Sequence, residues 1–75
     1  MRSISGGESD LSINTATQAQ LAAIPGIGAK AAWRLISTRA KAARKNPAKP
    51  FESVEEAFVE SDVQSFGLAL EVLNA

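Results

Sequence analysis

Seventy-five residues make one small domain, and a chain of this size buries only about 60% of the surface its unfolded form exposes, so its core must be economical. The composition, 45% hydrophobic and 21% charged, is that of a globular protein; the lack of cysteine excludes disulfides and thiolate zinc sites, and the lack of histidine removes the usual general base and the commonest neutral metal ligand. Eight bases balance eight acids, and no apolar run approaches the ~20 residues needed to cross a bilayer, so a soluble chain without a membrane segment is expected, its compartment left open.

Met1 to Asp10 is rich in glycine and serine and almost free of apolar residues, which reads as a flexible tail or a linker from a larger protein. Residues 11–75 form the domain, and Leu11 and Ile13 begin it as an extended lead-in. Thr17-Gln18-Ala19-Gln20 fits a capping box: the threonine hydroxyl can accept from the Gln20 amide while the glutamine side chain reaches back. A short helix to about Ala23 follows, burying Leu21 and Ile24, and Pro25 stops it. Ile24-Pro25-Gly26-Ile27-Gly28 is a tight turn with glycines where positive φ or close backbone approach is needed.

A long helix from about Ala29 to Lys45 comes next, with no internal glycine or proline, ending at Asn46-Pro47. Ala32, Leu35, Ile36 and Ala43 share its core face. Lys30, Arg34, Ser37, Lys41 and Lys45 fall on the opposite face, with Arg44 and Trp33 at its edges. The loop from Asn46 to Glu52 carries two prolines. Ser53-Val54-Glu55-Glu56 is a second capping box, opening a short helix that buries Val54, Ala57 and Phe58. Ser61 or Asp62 then caps a last helix using Val63, Phe66, Leu70 and Leu73, with Gly67 as its weak point. The pattern predicts an all-α, strand-free fold of two similar helical hairpins, four to five short helices in all.

Charge is segregated along this order. Leu11 to Phe51 holds seven bases and no acid, and Glu52 to Ala75 holds six acids and no base. Such polarity can turn a basic side toward a polyanion; a salt-bridged interface between the halves is the competing use. The turn sharpens the first reading. A glycine-flanked turn at a helix N-terminus presents unpaired amides, and the helix dipole adds partial positive charge there, so a phosphate can sit with no side chain in the way. The expected donors are the amides of Gly26, Gly28, Ala29 and Lys30, with the Lys30 ammonium beside them and Arg34, Lys41 and Lys45 continuing the stripe. Ile27 reads as a plug into the core. Backbone donors cannot read bases, so binding would be independent of sequence. The plain alternative is a helix–helix connector whose glycines serve close packing.

Leu21-Ala22-Ala23-Ile24-Pro25-Gly26-Ile27-Gly28-Ala29-Lys30-Ala31-Ala32 resembles the helix-hairpin-helix family, and more narrowly the repeat of the bacterial competence DNA receptor. Ile13-Asn14-Thr15-Ala16 is similar to that repeat's start, and Pro50-Phe51-Glu52-Ser53-Val54-Glu55-Glu56 to its linker into a second hairpin. The resemblance covers Leu11 to Ala75 and implies two tandem helix-hairpin-helix units that contact double-stranded DNA at phosphates flanking the minor groove. It leaves open a monovalent cation held by hairpin carbonyls; no other cofactor is expected. Two departures stand out. Ser61-Asp62-Val63-Gln64 replaces the second glycine turn, so the second unit is degenerate and structural, and Arg39 to Phe51 is several residues longer than the family's usual connection.

The function expected is sequence-independent binding of double-stranded DNA without catalysis. A repair glycosylase or lyase needs a catalytic aspartate shortly after the hairpin, and no acid stands between Gly28 and Phe51. The rival is a protein-interaction module of a secretion or assembly complex. Trp33 is open to three uses: stacking on a sugar or base, anchoring a protein partner, or packing under the long loop or the last helix. Arg39, among the apolar positions, is expected to run its stem along the core toward Glu55 or Glu56.

Overall fold

The computed structural model describes residues 11–75; the expected tail, residues 1–10, lies outside them. Four helices and one short strand pair follow in the order β1 (Leu11–Ser12), α1 (Gln18–Ala22), α2 (Gly28–Ala42), α3 (Val54–Glu60), α4 (Ala69–Val72) and β2 (Leu73–Asn74). The expectation of a strand-free fold is thus corrected at the ends: β1 and β2 pair in parallel, Leu11 against Leu73 and Ser12 against Asn74. The extended lead-in and the extended C-terminal residues satisfy each other's backbone groups. The Ile13 amide donates to Asn74 O at 2.8 Å, and Ser12 Oγ donates to Ala75 O at 3.1 Å. Two residues per strand are too few to leave an alternating pattern in the sequence.

The capping box at Thr17 forms in full: Gln20 N donates to Thr17 Oγ1 at 3.1 Å and Thr17 N to Gln20 Oε1 at 2.9 Å. At Ser53 only half of it forms. Glu56 N donates to Ser53 Oγ, but the Glu56 carboxylate accepts from the amide of Glu52, one residue earlier than a capping box requires.

Helix α2 ends its regular turns at Ala42, and the Arg44 and Lys45 amides close a tighter i→i−3 turn onto Lys41 O and Ala42 O. The core lies under α2, where Leu35 and Ala32 meet Ile13, Leu21, Phe51 and Phe58, all buried. Phe58 stacks on Phe66 with ring centroids 4.7 Å apart. The Asn14 side chain pins the far end of the long loop, donating to Phe51 O at 3.0 Å and accepting from Phe51 N at 2.8 Å.

Arg39 departs from its expected course. Its Nη1 donates to Ile13 O at 3.1 Å and Ala16 O at 2.7 Å, not to Glu55 or Glu56. Burial pulls its pKa below the usual arginine value. The guanidinium ties α2 to the lead-in carbonyls, which no helix ladder can satisfy.

The largest departure follows α3. No helix starts at Ser61 or Asp62. Asp62 N donates to Val59 O at 3.1 Å and Val63 N to Phe58 O at 2.9 Å, which is the paired closure of a Schellman motif. Asp62 takes the left-handed position, φ +59°, where glycine is usual. Val63 is thereby folded back onto the core, 7% exposed, and helical geometry resumes only at Ala69.

Ser61, at the end of α3, is buried with no partner for its Oγ among the described residues. Ser61→Ala removes an unsatisfied hydroxyl and is expected to raise stability by about 1 kcal/mol, read as a higher urea midpoint at unchanged slope. A fall in stability would mean that the hydroxyl has a partner in solution.

Candidate nucleic-acid interface

The turn between α1 and α2 is built from two glycines with different tasks. Gly26 has φ +93° and Gly28 φ +78°, so both need the freedom glycine has. A Cβ on Gly26 would lie 2.6 Å from the Cα of Gly67, whereas one on Gly28 would meet nothing within 4 Å among the described residues. Gly26 therefore serves close packing, as the connector alternative holds for it, and Gly28 keeps an open face. Between them Ile27 is buried at 8% exposure, a plug into the core.

Gly67 is not the weak point of a helix. It lies before α4, has φ +54°, and packs its backbone against Gly26 and the carbonyl of Pro25. Around it the chain docks onto the turn: Leu68 N donates to Pro25 O at 3.1 Å and Ser65 Oγ donates to Gly26 O at 3.3 Å. Ile24 O accepts from Ile27 N at 3.0 Å. Each of the three turn carbonyls thus already accepts one hydrogen bond.

Helix α2 begins without a side-chain cap. The amides of Gly28, Ala29 and Lys30 make no hydrogen bond within the described residues, as the first turn of a helix requires unless something outside it supplies acceptors. All three residues are exposed. Open amides and the positive end of a helix thus lie in the first turn of α2, which also carries Lys30.

The remaining bases divide. Arg34 turns to the second half of the chain, where its Nη1 donates to Asp62 O at 3.0 Å and lies 3.9 Å from Asp62 Oδ2. Both side chains are largely in water, so the ion pair adds little stability. A groove of about 350 Å³ between Lys30, Arg34 and the segment Asp62 to Ser65 brings the two turns side by side. Lys41 and Lys45 line a second groove, of about 460 Å³, opposite Glu56 and Glu60. Arg34 thus pairs with Asp62, Lys30 lines that same groove from the first turn of α2, and Lys41 and Lys45 share theirs with Glu56 and Glu60.

The resemblance between the two turns extends to two of three positions. Asp62 and Val63 repeat the left-handed residue and buried plug of Gly26 and Ile27. Gln64, in the place of Gly28, is followed by Ser65 and Phe66 outside any helix. Exchanging Asp62-Val63-Gln64 for Gly-Ile-Gly would therefore not by itself create a second helix N-terminus.

Trp33 packs under neither the loop nor the last helix: it is 59% exposed. A tryptophan at the edge of a basic stripe was the only sequence signal for its position, and Arg44 lies in the turn beyond the end of the helix. Among the described residues no helix is long and apolar enough to cross a membrane. Comparison of the chain with protein-family models, curated proteins and solved structures returns no match.

Proposed function

We propose that the chain is a non-catalytic helix-hairpin-helix module, its second unit degenerate, that grips the backbone of double-stranded DNA without regard to sequence. The observation that carries this is the start of α2, uncapped and opened by Gly28, with amide donors unpaired beside an exposed Lys30. A phosphate supplies the acceptors these amides lack and gains from the helix dipole. The similarity of the first hairpin and its flanks to the competence receptor repeat supports the same reading. Gly26 acts here by shaping the turn, while Gly28, Ala29 and Lys30 make the contact. Arg34 joins only by leaving Asp62.

Titration of random-sequence duplex at several salt concentrations tests this. A contact with roughly two or three phosphates should give affinities of about 10⁻⁴–10⁻⁶ M near physiological salt, and log affinity falling against log salt with a slope of about −2 to −3. Absent binding at low salt, or binding indifferent to salt, would refute it. The rival, a protein-docking module of a larger assembly, draws support from Val59, Leu68 and Leu70, which are 72%, 42% and 49% exposed.

A further inference from the structure

Trp33 is the chain's only tryptophan, and the fold leaves most of it in water. At 3.6 residues per turn, Lys30 and Ser37 fall within about 60° of it around α2, and Arg44 follows in the turn beyond the end of the helix. Lys30 and Arg44 are both exposed, and α2 carries no acid. Trp33 and Arg44 line neither of the grooves that hold Asp62, Glu56 and Glu60. The other exposed apolar side chains differ in this respect, because Val59, Leu68 and Leu70 belong to the segment that holds six acids and no base. An exposed aromatic ring on an acid-free helix, with the exposed Lys30 about one turn before it, is complementary to a polyanion that also carries flat rings.

We propose that Trp33 is a stacking platform for an unpaired base, so that the module prefers nucleic acid with single-stranded character to intact duplex. The inference rests on the phosphate-binding reading above and names the substrate class of that site. In an intact duplex both faces of each internal base are covered by its neighbours, and the indole can touch only sugar or groove edges. An unpaired base offers a free face. Stacking on it tolerates any sequence, which matches a backbone contact that reads none. Phosphate at Lys30 and the α2 amides positions the strand, and Trp33 separates paired from unpaired substrates.

The test is anisotropy titration of the full chain with three labelled probes: a blunt duplex, the same duplex with a single-stranded overhang, and a thymidine oligonucleotide. Trp33→Ala, Trp33→Phe and Lys30→Glu are measured alongside, after circular dichroism. Alanine is the best helix former, so the fold of Trp33→Ala should persist. The overhang should bind more tightly than the blunt duplex. Trp33→Ala should weaken the overhang and oligonucleotide about tenfold and leave the blunt duplex nearly unchanged. Trp33→Phe should recover most of the loss, and the native indole emission should be quenched at saturation. Equal loss on all probes, or none, while Lys30→Glu still weakens the blunt duplex, overturns the role of Trp33 and spares the phosphate contact. Failure of the native chain to bind any probe overturns both. Self-association that Trp33→Ala abolishes, with overhang affinity unchanged, assigns the indole to a protein contact and also overturns the proposal.

Discussion

Gly67→Ala should lower stability by about 2–5 kcal/mol, a large share of what a chain of this size has. Two costs add. At φ +54° an alanine sits in the left-handed region, at roughly 1–2 kcal/mol. Its Cβ would also meet the carbonyl oxygen of Pro25 and lie 2.8 Å from the Cα of Gly26, and overpacking of this kind costs about 1–3 kcal/mol more. The obstructing atoms are backbone, so no rotamer change relieves them. A 75-residue chain has only about 4–11 kcal/mol in total. Gly26→Ala meets the same contact from the other side, its Cβ 2.6 Å from the Cα of Gly67. The pair should therefore be non-additive: once one alanine has forced the segments apart, the second costs less. Urea denaturation of both single variants and the double decides it. Native-like stability of Gly67→Ala would mean that the two turns do not touch in solution.

That contact marks the limit of what the sequence could disclose. Signals confined to a few neighbouring residues were legible: the Thr17 box, the stop at Pro25, the buried plug at Ile27 and the core face of α2. Each arises from interactions over one helical turn. Where a residue answers to a distant partner, the local pattern misled. Gly67 reads as a defect in an apolar helical run, although an isolated glycine there is itself a hint of close approach. Asp62 reads as an N-cap because aspartate favours that position, yet it ends the previous helix in the left-handed conformation that aspartate also tolerates. Arg39 was expected to seek a carboxylate but satisfies the lead-in carbonyls, a requirement visible only once β1 is placed. The basic stripe was legible as a stripe. Its division between open amides and facing acids depends on where α3 and the Asp62 turn pack.

Gly28→Asp should weaken duplex binding by at least about fivefold while leaving the chain folded, and the contrast with Gly67 is what makes it informative. Gly28 also has positive φ, but nothing among the described residues lies within 4 Å of the position its Cβ would take. Aspartate is among the residues that best tolerate left-handed geometry. Its carboxylate would stand at the N-terminus of α2, where negative charge is worth about 0.3–1 kcal/mol, so the backbone cost is largely offset. Stability should change by no more than about 1 kcal/mol. For binding, the same carboxylate takes the position of the phosphate. Two like charges about 4 Å apart repel by roughly 1 kcal/mol in bulk water and 4 kcal/mol at an effective dielectric of 20, which spans roughly fivefold to several-hundredfold in affinity. Occupied amides deepen the loss. Gly28→Asn separates charge from shape: it has nearly the same volume and the same backbone demand without the charge, and should retain most of the affinity. Lys30→Glu should approach the loss of Gly28→Asp, since it reverses a full charge carried by the first turn of α2. A folded Gly28→Asp that binds duplex as the native chain does would move the phosphate away from the start of α2, and leave the exposed side of the helix at Trp33 as the place to look.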